Sequence, residues 1–179
     1  MAKFVITAGH ATVDKPDSGA TYFGIKESEL MAEFRSIVAL KLRERGHTVF
    51  TDGEGGENQT LNTAIGLIRK HKPDYAIEFH TNAATNPAAT GVETISLPKD
   101  KGISRQLTNA IARTLELRVR GDMGWIDQSQ SARGSLGYVN AGGIIVETFF
   151  LSNREDLRKW QEKKWIAAIE VAKLFDNQA

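Results

Sequence analysis

DYAIEFHTN, residues Asp74–Asn82, is the stretch on which the fold turns. The β-prone and aromatic residues Tyr75, Ala76, Ile77 and Phe79 follow Pro73 and stop at a histidine. Thr81-Asn82 then leads into the small-residue loop AATNPAATG at 83–91. Read as a strand over Tyr75–His80, the segment delivers His80 at its carboxyl end, where open α/β sheets hold their ligand chemistry. Two other segments aim at the same place. FVITAGH, Phe4–His10, is also an apolar strand ending in a histidine, and IIVETFFLSN, Ile144–Asn153, is a strand carrying Glu147.

Working outward, strands and helices alternate. Lys3–Ala8 reads as a central strand and is followed by a polar loop, ATVDKPDSGATYFG, rich in turn-forming residues. A helix is predicted over about Lys26–Arg45, where Leu30, Phe34, Ile37 and Val38 recur at helical spacing, with Gly46 ending it. His47–Thr51 follows as a strand, then DGEGGEN, Asp52–Asn58, as a flexible acidic loop. The second helix, about Gln59–His71, puts Leu61, Ala64, Ile65 and Ile68 on one face and stops before Pro73. After the Tyr75 strand come a strand over Gly91–Leu97 and a helix over Ile103–Arg118 built on Ile103, Leu107, Ile111 and Leu115. Val119–Asn140, with four glycines, reads as a long irregular excursion of the functional kind. A last strand spans Gly143–Phe149. Ser152–Glu155 matches a capping box for a final helix whose Leu157, Trp160, Ala168, Ala172 and Phe175 share a face. This order predicts one α/β domain over 1–179: an open, mostly parallel twisted sheet of about five to six strands, with helices on both faces.

Composition narrows the function classes. The 179 residues are 41% hydrophobic with a formal net charge of +1, which argues against a nucleic-acid binder dependent on clustered Lys and Arg. With no cysteine there is no disulfide or thiolate site, so any metal must be held by His, Asp or Glu, and there are four histidines. No apolar run approaches the roughly 20 residues needed to insert into a membrane. MAKFVITAGH is too short an apolar run for a secretory signal, so synthesis in the cytoplasm without an export address is expected.

Glu27 is the carboxylate that helix geometry adds to the histidines. It lies three and four residues before Leu30 and Met31 and shares their inward face, whereas Glu29 and Glu33 fall roughly 200–240° around the helix. Two imidazoles and one carboxylate make the His2Glu set of a catalytic zinc site with a fourth position left for water. Glu147 interrupts an apolar strand, which is costly unless the carboxylate is paired or functional. Beside such a water it could take a proton and return it to a leaving amine, the logic of metal-assisted amide hydrolysis.

Gly9-His10, DSGA at Asp17–Ala20, GIKE at Gly24–Glu27, FHTNA at Phe79–Ala83 and VETFFLSN at Val146–Asn153 resemble, in order and over nearly the whole chain, the type 3 family of N-acetylmuramoyl-L-alanine amidases. The resemblance implies an open α/β sheet binding one zinc per chain through His10, Glu27 and His80, with Glu147 as catalytic glutamate. It also implies cleavage of the amide joining N-acetylmuramic acid to L-alanine in bacterial peptidoglycan. The chain departs from the family pattern in two places. Ala11–Pro16 lengthens the approach to DSGA, and Glu78 stands where small residues usually precede the second histidine. Strand alternation puts Glu78 on the face of His80, as a partner of that ring or a rival ligand.

Bland readings stand beside these. Glu147 could be a structural acid paired with an arginine such as Arg133. His47 and His71 read as structural, and Trp160 and Trp165 as packing. Trp125, in GDMGWIDQSQSARG, and Arg133 are candidates for lining a substrate groove, as is Asn82, which could instead only turn the backbone. The compact chain is expected to act on the wall as a monomer, in the manner of a phage endolysin. The competing functions are a non-catalytic wall-binding or activator module on the same fold, or another zinc peptidase.

Overall fold

KFVITA, strand β1 (Lys3–Ala8), is buried at every residue after Lys3, as a strand covered on both faces must be. The computed structural model describes residues 1–176. After β1 come the hairpin strands β2 (Thr21–Tyr22) and β3 (Ile25–Lys26), helix α1 (Glu27–Glu44), β4 (Thr48–Thr51) and α2 (Leu61–His71). β5 (Tyr75–Asn82), β6 (Glu93–Ser96), α3 (Lys101–Leu115), β7 (Trp125–Asp127), the single turn α4 (Gly137–Asn140), β8 (Ile144–Phe150) and α5 (Arg154–Lys173) complete the chain.

The main sheet has six strands in the order β4-β1-β5-β8-β6-β7. The first four are parallel, β6 runs antiparallel to β8, and β7 is parallel to β6. Side-chain alternation splits the core in two. Phe4, Ile6, Ala8, Ile77 and Phe79 join α1, α3 and α5 on one face, where Trp160 packs on Phe34 and Phe149. Val5, Ala76 and Ile145 join Ala64 and Ile68 of α2 and Tyr138 and Val139 of α4 on the other. The chain steps from β1 outward to β4, then returns past β1 to β5. That reversal opens a crevice at the carboxyl ends of β1 and β5, the place where such sheets take ligands.

The α/β class, the mostly parallel sheet and helices on both faces match the reading of the sequence. Several details do not. The polar stretch after β1 contains the hairpin β2–β3, closed by Phe23 and Gly24 with φ of 55° and 75°, the pair of positive values that tight hairpins favour. α3 ends at Leu115, since Glu116 turns left-handed at φ 54°. Within 119–140 lie β7 and α4, too short to carry a periodic signal. Leu61 opens α2 beside the cleft and is 49% exposed instead of facing the core. Trp165 is also half exposed; five residues after Trp160, it falls roughly 140° around α5. The cap of α5 is Asn153, whose side chain accepts from the amides of Glu155 and Asp156. Ser152 Oγ is taken by the Ala84 amide, and Glu155 pairs with Arg158.

The acidic loop after β4 is anchored, not flexible, at its ends. Asp52 and Asn58 are buried together with Arg35, which has no exposed surface. Arg35 Nη1 lies 2.6 Å from Asp52 Oδ1 and 3.4 Å from Asn58 Oδ1, and its other Nη bonds the Glu57 carbonyl.

Candidate metal centre

The crevice gathers side chains from four segments. His10 is the second residue past β1 and adopts φ 67°, a left-handed conformation that non-glycine residues hold only when their surroundings enforce it. Asn58 supplies that enforcement: its Nδ2 donates to the carbonyls of Ala8 (2.7 Å) and His10 (2.6 Å). Gly9 bonds through its amide to the Phe79 carbonyl, and a Cβ there would sit 2.0 Å from the His80 ring. The absent side chain is what lets the end of β1 pass against the histidine on β5.

Glu27 opens α1 and is almost fully buried. Its Oε1 accepts from the Thr81 amide and its Oε2 from the Ala20 amide, both at 2.9 Å. These bonds aim the carboxylate between the two rings. Oε2 is 3.3 Å from His10 Nε2 and Oε1 is 3.1 Å from His80 Nδ1. One ligand atom from each of His10, Glu27 and His80 lies within 4.8 Å of the others, so this trio could hold a metal ion. Two imidazoles and one carboxylate suit zinc, leaving a coordination position open.

The outer nitrogens of both rings are also engaged. His10 Nδ1 is 2.7 Å from Asp17 Oδ2, and His80 Nε2 is 3.1 Å from Glu78 Oε1. Burial opposes charge on His10, but the hydrogen bond and charge of Glu27, then Asp17, outweigh it and hold its pKa above 6.5. Burial likewise opposes charge on His80, and hydrogen bonds to Glu27 and Glu78 hold its pKa well above that value. Burial alone would push Glu27 up; its hydrogen bonds to the two histidines instead hold it well below the usual carboxylate range. The surrounding carboxylates thus favour a cation between the rings, and a metal binding here would compete with protons on the two histidines.

Glu147 stands beside this trio by strand register, directly opposite His80 on β5 and opposite Glu93 on β6. Its Oε2 is sealed from solvent without a hydrogen-bond partner. Burial raises its pKa to about 7, with the charges of Glu27 and Glu93 adding and those of His80 and His10 opposing. Among the described residues it forms no ion pair with Arg133 or any other cation. Glu93 is instead the acid with structural partners, Asn82 Nδ2 and Arg120 Nε, each at 2.8 Å.

A cleft of about 610 Å³ runs from His10 and His80 past Glu147, Asn82, Arg120 and Arg133, and a neighbouring one of about 360 Å³ continues beyond the histidines toward Tyr138. Exposed Arg133 lines both. Trp125 does not reach the cleft: its indole donates to Ser96 Oγ and lies under Lys101 Nζ, and the next residue on β7, Ile126, faces the cavity instead. His47 accepts from the Ala2 amide and His71 stacks on Phe50, both remote from the site. Asn58, Glu93 and Arg120 escaped sequence reading because they come together only through tertiary contacts. Asp17 was within reach of it, since DSGA had marked the segment.

Comparison with known proteins agrees with this geometry. A sequence model described as N-acetylmuramoyl-L-alanine amidase, Amidase_3, matches residues 4–174. No curated protein matches the chain. Among solved structures, a Neisseria meningitidis protein assigned as an N-acetylmuramoyl-L-alanine amidase is 40% identical, with a TM-score of 0.87 over 96% of this chain and 92% of that one. The N-acetylmuramoyl-L-alanine amidase AmiC2 of Nostoc punctiforme is 20% identical, with a TM-score of 0.78 over 96% and 93%. The catalytic domain of CD27L endolysin, which targets Clostridia difficile, is 21% identical, with a TM-score of 0.69 over 97% and 94%. These last two share the fold.

Proposed function

The chain belongs to the N-acetylmuramoyl-L-alanine amidase family, and on that premise we propose that it uses one zinc ion to cleave the amide between N-acetylmuramic acid and L-alanine in peptidoglycan. The observation that carries this reading is the register of β5 and β8, which sets the unpartnered carboxylate of Glu147 beside the His10–Glu27–His80 trio.

His10 Nε2, His80 Nδ1 and a Glu27 oxygen would hold the zinc. When bound, the ion supplies Lewis acidity and makes water acidic near neutral pH. Glu147 has the other half of the task. A carboxylate with a pKa of about 7 and a free buried oxygen can accept a proton from the attacking water and deliver it to the leaving amine. Glu93, Asn82 and Arg120 brace its neighbourhood, and the paired Glu93 charge favours the protonated, donating form. Asn82 and Arg133 line the cleft and are proposed to contact the substrate. Trp125 contributes only by holding the edge strand that presents Ile126.

Glu147→Gln is expected to lower release of L-alanine-terminated peptides from purified wall by about 10²–10⁴-fold while zinc stays near one per chain. Lysis at the wild-type rate would remove Glu147 from the chemistry. A wall-binding module would show no chelator-sensitive release at all, and a peptidase would free amino termini within the stem peptide instead of at its L-alanine.

The endolysin-like reading concerns how the enzyme meets the wall. Expression inside a bacterium tests it: lysis only after the inner membrane is permeabilised supports release by a separate membrane hole, and lysis without permeabilisation opposes it.

A further inference from the structure

His80 sits between two carboxylates that face opposite nitrogens of its ring. Glu27 Oε1 is 3.1 Å from Nδ1 and Glu78 Oε1 is 3.1 Å from Nε2. A carboxylate can only accept, so Nε2 must carry hydrogen wherever the Glu78 contact is kept. The lone pair then left for a metal is on Nδ1, the nitrogen that already points at Glu27. Glu78 has little freedom to do otherwise. It is 4% exposed, and its second oxygen is 3.3 Å from Thr7 Oγ1, which is itself 2.9 Å from Tyr138 Oη. One oxygen of the carboxylate thus meets His80, and the other is tied to Thr7 of β1 and through it to Tyr138 of α4.

We propose that Glu78 is a positioning residue for the metal site, holding His80 as the Nε2–H tautomer and its ring at the angle that presents Nδ1 to the ion, and is not itself a ligand. The assignment rests on the metal reading of the site. It extends that reading to a residue outside the three donors, and it is supported over the rival-ligand alternative by the position of the Glu78 oxygen against the ring nitrogen opposite the one that faces Glu27. His10 is handled the opposite way round: Asp17 takes Nδ1 and leaves Nε2 for the ion. A metal here would therefore be met by unlike nitrogens of the two rings, each fixed by its own acid.

The test compares Glu78→Ala and Glu78→Gln with the wild type, measuring zinc affinity by competition with a chromophoric chelator and the His80 tautomer by nitrogen-15 NMR. Gln keeps an acceptor for Nε2–H and is expected to bind zinc within several-fold of wild type. Ala is expected to bind it about 10–100-fold more weakly and to let His80 populate both tautomers. In the zinc-loaded wild type, hydrogen should be found on His80 Nε2. Hydrogen on Nδ1 overturns the proposal, and this readout needs no variant to fold. Ala binding as tightly as wild type also overturns it. So does Gln losing as much affinity as Ala, which would make Glu78 a ligand. Amide hydrolysis enters none of these measurements, so failure of the proposed activity would leave the outcome distinct.

Discussion

The two histidines proposed to hold the metal stand on unlike foundations. His80 lies inside β5, a strand hydrogen-bonded on both sides, and needs only a buried acid to turn its ring. His10 lies past the end of β1 in a left-handed conformation, so its backbone must be held by Asn58 and its ring by Asp17, an exposed acid. A regular element supplies position without further help, whereas a loop needs a dedicated brace for each degree of freedom. Here the brace reaches back through Asn58 to the buried Arg35–Asp52 pair, which makes the placement of His10 depend on residues outside the trio.

That contrast can be broken most severely at the ligands themselves. His10→Ala and His80→Ala should each weaken zinc binding on the order of a thousandfold, about 4 kcal/mol of a total of about 10–16 kcal/mol. Equilibrium dialysis would measure this, and a small effect for either histidine would show that it is not a ligand.

Asn58→Ala comes next. It removes two hydrogen bonds to the His10 turn, one buried and one partly buried, and leaves a gap beside Arg35, for an expected loss of about 3 kcal/mol in urea unfolding. Zinc affinity should fall as well. If stability falls and zinc affinity does not, His10 keeps its place without Asn58 and the contrast between the two foundations weakens.

Asp17→Asn should be milder, about tenfold in zinc affinity at neutral pH, the low end for an outer partner. It also carries a pH signature. The folded pKa values of His10 and His80 are raised, so protons compete with zinc from above pH 6.5 downward, and affinity falls on acidification. Asn at position 17 removes one of the causes raising His10, so the onset of its competition should move toward acid. An onset that stays put or moves toward alkali would contradict the role given to Asp17. The same shifts fix a sign for the metal-free protein. The stabilisation from the raised histidines is complete below about pH 6.5 and is lost as pH rises through their folded values.

The smallest effect is calorimetric. Below the raised histidine values, zinc should displace up to about two protons, read as a dependence of the binding heat on the ionisation enthalpy of the buffer. No proton release would mean that the rings are already neutral and the carboxylates around them are not charging them.

Much of this was legible in the chain because its signals were local. Strand endings placed His10 and His80, helical phase selected Glu27 over Glu29 and Glu33, and one acid in an apolar strand exposed Glu147. What stayed hidden was non-local or short. β7 and the β2–β3 hairpin are two or three residues long per strand, below the length at which alternation can be seen. β8 slots between β5 and β6, so the pairing of Glu147 with His80 depends on a register that no single segment encodes. The acidic loop looked mobile on its glycines alone, because the partner that anchors its ends, Arg35, lies in the middle of α1, with the rest of that helix and β4 in between. Trp125 illustrates the limit within a strand: the aromatic drew attention, but its neighbour Ile126 points into the cleft.

The most direct test is an anomalous diffraction map of the protein crystallised with zinc. One peak is expected, about 2.0–2.2 Å from His10 Nε2, His80 Nδ1 and an oxygen of Glu27, with Glu78 outside the inner sphere and Glu147 beside the open position. A peak that leaves out any of the three donors, or that takes Glu78 as one of them, would contradict the site described here.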